Sequence, residues 1–145
     1  MRWMLFVHIA GVAFWLGGAA ALWVLYLKSK RLSPETGLSL AYDTTRSVVM
    51  GILNPSAILV LLTGIGMLMQ LGVMGKTKPF WLAFMEQFGG MVAIISAAAL
   101  TWQIRRLDKA SSDQERTRLW RVLNRTIAGI GAGVIVTILV VALRL

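Results

Sequence analysis

His8 is the single histidine of this chain, and it stands four residues after Met4 in a sequence with eight methionines and no cysteine. That inventory narrows the chemistry. Without thiols there are no disulfides, thiolate metal sites or cysteine nucleophiles. Imidazole is a borderline ligand and thioether a soft one, so His8 with Met4, Met67 and Met85 forms a donor set suited to Cu(I). The same imidazole can instead serve as an axial haem ligand or carry a proton. Glu86 is the one carboxylate within an apolar stretch that can orient the ring from behind, leaving the other ring nitrogen for a ligand. A plainer reading makes His8 and Glu86 a structural hydrogen bond and the methionines fillers of an irregular core. Enzyme chemistry has little to work with, because the chain offers no paired carboxylates on one face, no nucleophile beside a base and no glycine-rich nucleotide cradle.

The elements that must position these residues are four long apolar stretches, at about 3–27, 48–71, 80–104 and 122–143. Each exceeds the roughly 18 to 20 residues that cross a bilayer. With 57% hydrophobic and 14% charged residues in 145, the expectation is an all-α integral membrane four-helix bundle, up-down in topology and a single domain. The first stretch is too long for a cleaved signal and is expected to be retained. Lys and Arg set the orientation. Lys28, Lys30, Arg31, Arg46, Arg105, Arg106, Lys109, Arg116, Arg118, Arg121 and Arg125 lie on the side of the first and third loops, against Arg2, Lys76, Lys78 and Arg144 on the other. The bias predicts both termini outside and the basic loops inside an inner (plasma) membrane, as a multi-pass protein. The net charge of +9 then belongs beside anionic lipid, and nucleic acid is not an expected partner.

Local signals refine the helices. Ser33-Pro34-Glu35 reads as a cap with proline at the first helical position, and Ser112 with Glu115 as a capping box, so helices two and four should extend into the cytoplasm. Asn54-Pro55 should kink helix two. In lipid, small and polar stripes mark where helices meet. Met4, His8, Gly11, Trp15, Gly18 and Leu22 form one seam on helix one. Glu86, Gly89, Ala93, Ser96, Leu100 and Gln103 form another on helix three, and Ser56, Thr63, Met67, Gln70 and Met74 share a side of helix two. Gly129 and Gly133, flanked by Thr126 and Thr137, give helix four its close-contact face. The topology places His8 and Glu86 at matching depth, each roughly 8 to 9 Å from the outer end. A His8 to Glu86 contact is therefore expected. Setting Met1 aside, all methionines except Met50 fall in that same outer half.

His8-Ile-Ala-Gly-Val-Ala-Phe-Trp15-Leu-Gly17-Gly18 resembles the first-helix signature of the CopD copper-resistance membrane family and of the related HemJ-type protoporphyrinogen oxidases. Leu62-Thr63-Gly64-Ile65-Gly66 and Leu123-Asn124 are further echoes. A CopD-like resemblance implies copper movement or tolerance with His8 and nearby methionines as ligands. A HemJ-like one implies haem b with His8 as axial ligand. The chain departs from the second pattern: it has no second histidine, Glu86 stands where a lysine belongs, and Arg125-Thr126 follows the asparagine. The expectation is thus a copper-binding or copper-transporting protein, not an enzyme. A haem b-binding membrane subunit is the alternative, and a cofactor-free scaffold subunit the third reading. The lipid bilayer is the expected environment, with a homodimer or a larger membrane complex as the expected assembly.

Overall fold

The computed structural model describes residues 2–31, 34–72 and 76–144, with side chains from 39 onward in the second stretch. Span one is a single helix, α1 (Arg2–Ser29). The second rod starts as α2 (Pro34–Val48), passes through one π-helical turn (Val49–Leu53) and continues as α3 (Asn54–Leu71). The third is built alike, from α4 (Phe80–Phe84), a π turn (Met85–Gly89) and α5 (Gly90–Asp108). The fourth is α6 (Asp113–Leu143). All four rods are long and apolar enough to cross a membrane. The bundle buries only 17 to 28% of each apolar window. Large side chains such as Phe6, Phe14, Leu62, Ile94 and Leu139 therefore point outward, as a lipid-facing surface requires.

The packing closes a ring: α1 lies against α3, α3 against α5, α5 against α6, and α6 against α1. Sequence signals account for most of the ends. Pro34 opens α2, as its fixed φ and missing N–H favour; Ser33, expected as its cap, lies outside the described residues, as does Met74. Ser112 accepts a hydrogen bond from the Glu115 amide at 3.2 Å and caps α6. Gly72 ends α3 at φ +62°, a left-handed conformation that glycine adopts without a Cβ penalty, and its amide returns to the Met69 carbonyl.

Apart from Gln70 on α3, which is exposed, the core follows the expected seams except at two places. On α1, Gly11, Trp15, Gly18 and Leu22 are all buried. A Cβ on Gly11 would sit 2.9 Å from Val60, and one on Gly18 would sit 2.6 Å from Leu53; the missing side chains let α1 and the second rod approach closely. Trp15 reaches across the ring, its indole N–H donating to Ser96 at 3.3 Å. The first exception is α6. Gly133 faces Val92, where an added Cβ would lie 3.2 Å away, but Gly129 has open space around it. The buried face runs instead through Trp120, Leu123, Asn124, Ile127, Ile130 and Val134. Gly129 thus lies off the contact stripe that its spacing to Gly133 predicts.

The second exception is the third rod. Ala93, Ser96 and Leu100 are buried as the seam requires, while Glu86 and Gly89 sit within the π turn. A π turn inserts one residue, which rotates what lies before it by about 100° relative to a continuous α-helix. That turn packs against α6; a Cβ on Gly89 would lie 3.2 Å from the Thr137 methyl.

The other π turn has a visible cause. It stands immediately before Asn54-Pro55, where proline has no N–H to give the preceding turn. Asn54 ties the distorted region to its neighbour, donating to Thr101 at 2.8 Å. Farther toward the basic end, Gln103 donates to Thr126 at 2.9 Å. Tyr42 donates to Asp108, which also pairs with Arg46 at 3.5 Å, fastening α2 to the end of α5.

Candidate functional site

His8 stands on the α1 seam one turn and a half from the N-terminal end, half-buried against α3. Its Nδ1 lies 2.9 Å from the Thr63 hydroxyl. The direction of that bond follows from counting hydrogens. The Thr63 hydroxyl has one, and its oxygen sits 2.6 Å from the Leu59 carbonyl and 3.2 Å from that of Val60. Carbonyls only accept, so the hydroxyl hydrogen is committed to the helix backbone. The oxygen offers His8 a lone pair, and Nδ1 must be the donor. A neutral His8 is therefore protonated on Nδ1, and Nε2 carries the free lone pair.

Glycines on α3 make room for this face of α1. A Cβ on Gly64 would meet the imidazole Cε1 at 3.5 Å, and one on Gly66 would strike the Met4 Cε. Met4 and His8, one helical turn apart, thus lie along one groove whose floor is Gly64 and Gly66. The two sequence motifs that had been read separately, His8 to Gly18 and Leu62 to Gly66, are in contact with each other. The third echo, Leu123-Asn124, is on α6; both residues are buried there, and Asn124 donates to the Trp120 carbonyl at 2.9 Å.

Glu86 does not join this group. Its carboxylate pairs with Lys78, and among the described residues no hydrogen bond or ion pair links it to His8. The expected His8 to Glu86 contact is replaced on both sides, by Thr63 for the imidazole and by Lys78 for the carboxylate. The π turn explains the change: it puts Glu86 on a segment packed against α6, whereas His8 faces α3. Met85 opens the same turn, with its Cγ beside Gly89. Met67 follows Gly66 on α3 and is half-buried. Of the four expected ligands, then, Met4 and His8 share one groove, Met67 adjoins its floor, and Met85 belongs to the turn packed on α6.

Two participants escaped the sequence reading in their present roles. The sequence places Thr63 only on a polar stripe; its spacing of three and four residues from two carbonyls on an apolar helix is the available signal for a hydroxyl bound to backbone. Lys78 reads in the sequence only as a loop charge, although it stands eight residues before Glu86, just ahead of Pro79, where the chain enters α4. Among the described residues, no cluster of three or more His, Asp or Glu side chains is assembled; any ligand set here has to draw on sulfur and a single imidazole. No protein-family model, curated protein or solved structure matches the chain.

Proposed function

We propose that this chain is a multi-pass inner-membrane protein that binds Cu(I), as cargo or as a resident ion, through His8 Nε2 and the Met4 thioether. The observation that carries this reading is the Thr63 hydroxyl, 2.9 Å from Nδ1 and 2.6 Å from the Leu59 carbonyl, which favours the proton on Nδ1 and so leaves Nε2 for a ligand. The donor set fits the ion: both atoms are neutral, one soft and one borderline, as Cu(I) favours. The likeness of the helix-one motif to the CopD family supports the same assignment. Met67, next to the groove floor, is the nearest further thioether in sequence to complete the set. The Lys and Arg bias supports an outward-facing His8 end, where a copper-handling site would meet ions entering from outside.

The test is one preparation in mild detergent, examined by elemental analysis and absorption spectroscopy, with His8→Ala and Met4→Leu alongside. Copper near one equivalent in the wild type, lost in His8→Ala and weakened in Met4→Leu, supports the reading. A Soret band that disappears in His8→Ala replaces copper with haem b. Protein free of both, even after Cu(I) is supplied, leaves the scaffold reading and overturns the proposal.

A further inference from the structure

At the opposite, basic end of the bundle, a cleft of about 160 Å³ opens between the end of α1 and the first turns of α6, lined by Tyr26, Ser29, Lys30, Thr117, Trp120 and Arg121. Its composition is one-sided. Two cations line it and no carboxylate does, and among the described residues neither Lys30 nor Arg121 forms a salt bridge. Lys30 is held with its Nζ 4.4 Å from the centre of the Tyr26 ring, and Tyr26 packs at 6.5 Å on Trp120, which is almost fully buried. One cation is thereby positioned over a rigid aromatic floor instead of ranging through solvent. The hydroxyls of Ser29 and Thr117 each donate to a backbone carbonyl, of Tyr26 and Asp113 respectively, so the two cations carry the attraction.

We infer that this cleft binds the phosphate of an anionic phospholipid. Its place in the fold selects that occupant. Ser29 is the last residue of α1, and the partly exposed Tyr26 is a residue type that settles at headgroup level, directly under the basic loops. A headgroup phosphate there stays covalently attached to acyl chains that lie along the apolar outer surface beside it, including Trp23 and Leu27. A soluble phosphate gains no such contact. The inference is independent of the His8 site, from which it is separated by most of the length of α1.

Native mass spectrometry of the purified protein, titrated with phosphatidylglycerol or with phosphatidylcholine of the same acyl chains, tests it. The wild type should retain phosphatidylglycerol preferentially, and Lys30→Gln/Arg121→Gln should weaken that binding by about 30-fold, as loss of two interfacial cations implies. Lys28→Gln/Arg125→Gln removes the same charge outside the cleft and should retain most of the binding; circular dichroism confirms that both variants are folded. Equal loss in the two double variants would reduce the effect to diffuse surface charge and overturn the site. Equal retention of the two lipids, or thermal stabilisation by inorganic phosphate that matches phosphatidylglycerol, would overturn the lipid assignment.

Discussion

Replacing Thr63 with valine isolates the atom on which the His8 assignment turns. The two side chains have nearly the same shape, so the α1 to α3 packing is retained while the hydroxyl is removed. In the wild type that oxygen accepts from Nδ1 at 2.9 Å while its hydrogen is held by Leu59. In Thr63→Val the donor loses this acceptor, and leaving such a group unpaired in an apolar setting costs about 1 to 3 kcal/mol. The imidazole is then also free to move its proton to Nε2, the nitrogen needed for the metal. Loss of a ligand-orienting partner generally weakens metal binding by roughly 10- to 100-fold, which is about 1.4 to 2.8 kcal/mol. Competition against a chromogenic Cu(I) chelator in detergent reads it directly, with thermal unfolding of the metal-free protein in parallel. Thr63→Ser restores the oxygen and should restore affinity. Thr63→Val binding Cu(I) as tightly as the wild type would refute the argument that Thr63 sets the tautomer.

Gly18→Ala should destabilise the bundle by about 1 to 3 kcal/mol, because the new methyl meets fully buried Leu53, whereas Gly17→Ala, with nothing within 4 Å, should be near neutral in the same thermal assay. Lys78→Met strands the Glu86 carboxylate; with side-chain exposures of 8% for Lys78 and 31% for Glu86, the pair lies between surface and buried cases and the loss should be about 1 to 3 kcal/mol. Glu86→Gln added to Lys78→Met should recover part of it, and an additive loss in that double-mutant cycle would contradict the pairing. The absence of cysteine makes single-cysteine mapping clean: a membrane-impermeant maleimide should label Thr77→Cys in intact cells and Ser111→Cys only after permeabilisation, and the reverse pattern would invert the proposed orientation.

How far the sequence could be read depended on whether helical phase was preserved. The four spans rest on apolar length, the start of α2 at Pro34 and the cap at Ser112 on residue type, and the α1 seam through Gly11, Trp15 and Gly18 on an uninterrupted 3.6-residue period, and the structure follows them. Ala93, Ser96 and Leu100 were legible for the same reason. Glu86 was not, because no proline announces the π turn at Met85–Gly89, and one inserted residue is enough to carry a side chain to a different neighbour. Asn54-Pro55 shows the contrast: there the proline warned of a distortion, and a π turn lies directly ahead of it. Gly129 failed for another reason. A small residue in a membrane helix permits close approach but does not compel it, and only the buried stripe through Ile127, Ile130 and Val134 decides which glycine is used.

The displacement of Glu86 bears on which ion the His8 groove can accept. With the carboxylate drawn off to Lys78, what remains around the groove is an imidazole, a thioether, a hydroxyl committed to backbone, and glycine. All are neutral. An apolar membrane setting penalises net charge, and the penalty rises steeply from one charge to two. A divalent ion here would bring two uncompensated charges to a site that offers no anionic ligand, while a monovalent soft ion brings one and is matched by sulfur and nitrogen. Had His8 been backed by Glu86, the same groove would have carried a compensating negative charge and favoured Cu(II) or Zn(II) more strongly. The phase shift at Met85–Gly89 thus supports Cu(I) over divalent ions as the ligand to test first, and it does so through the charge of the groove as well as through its shape.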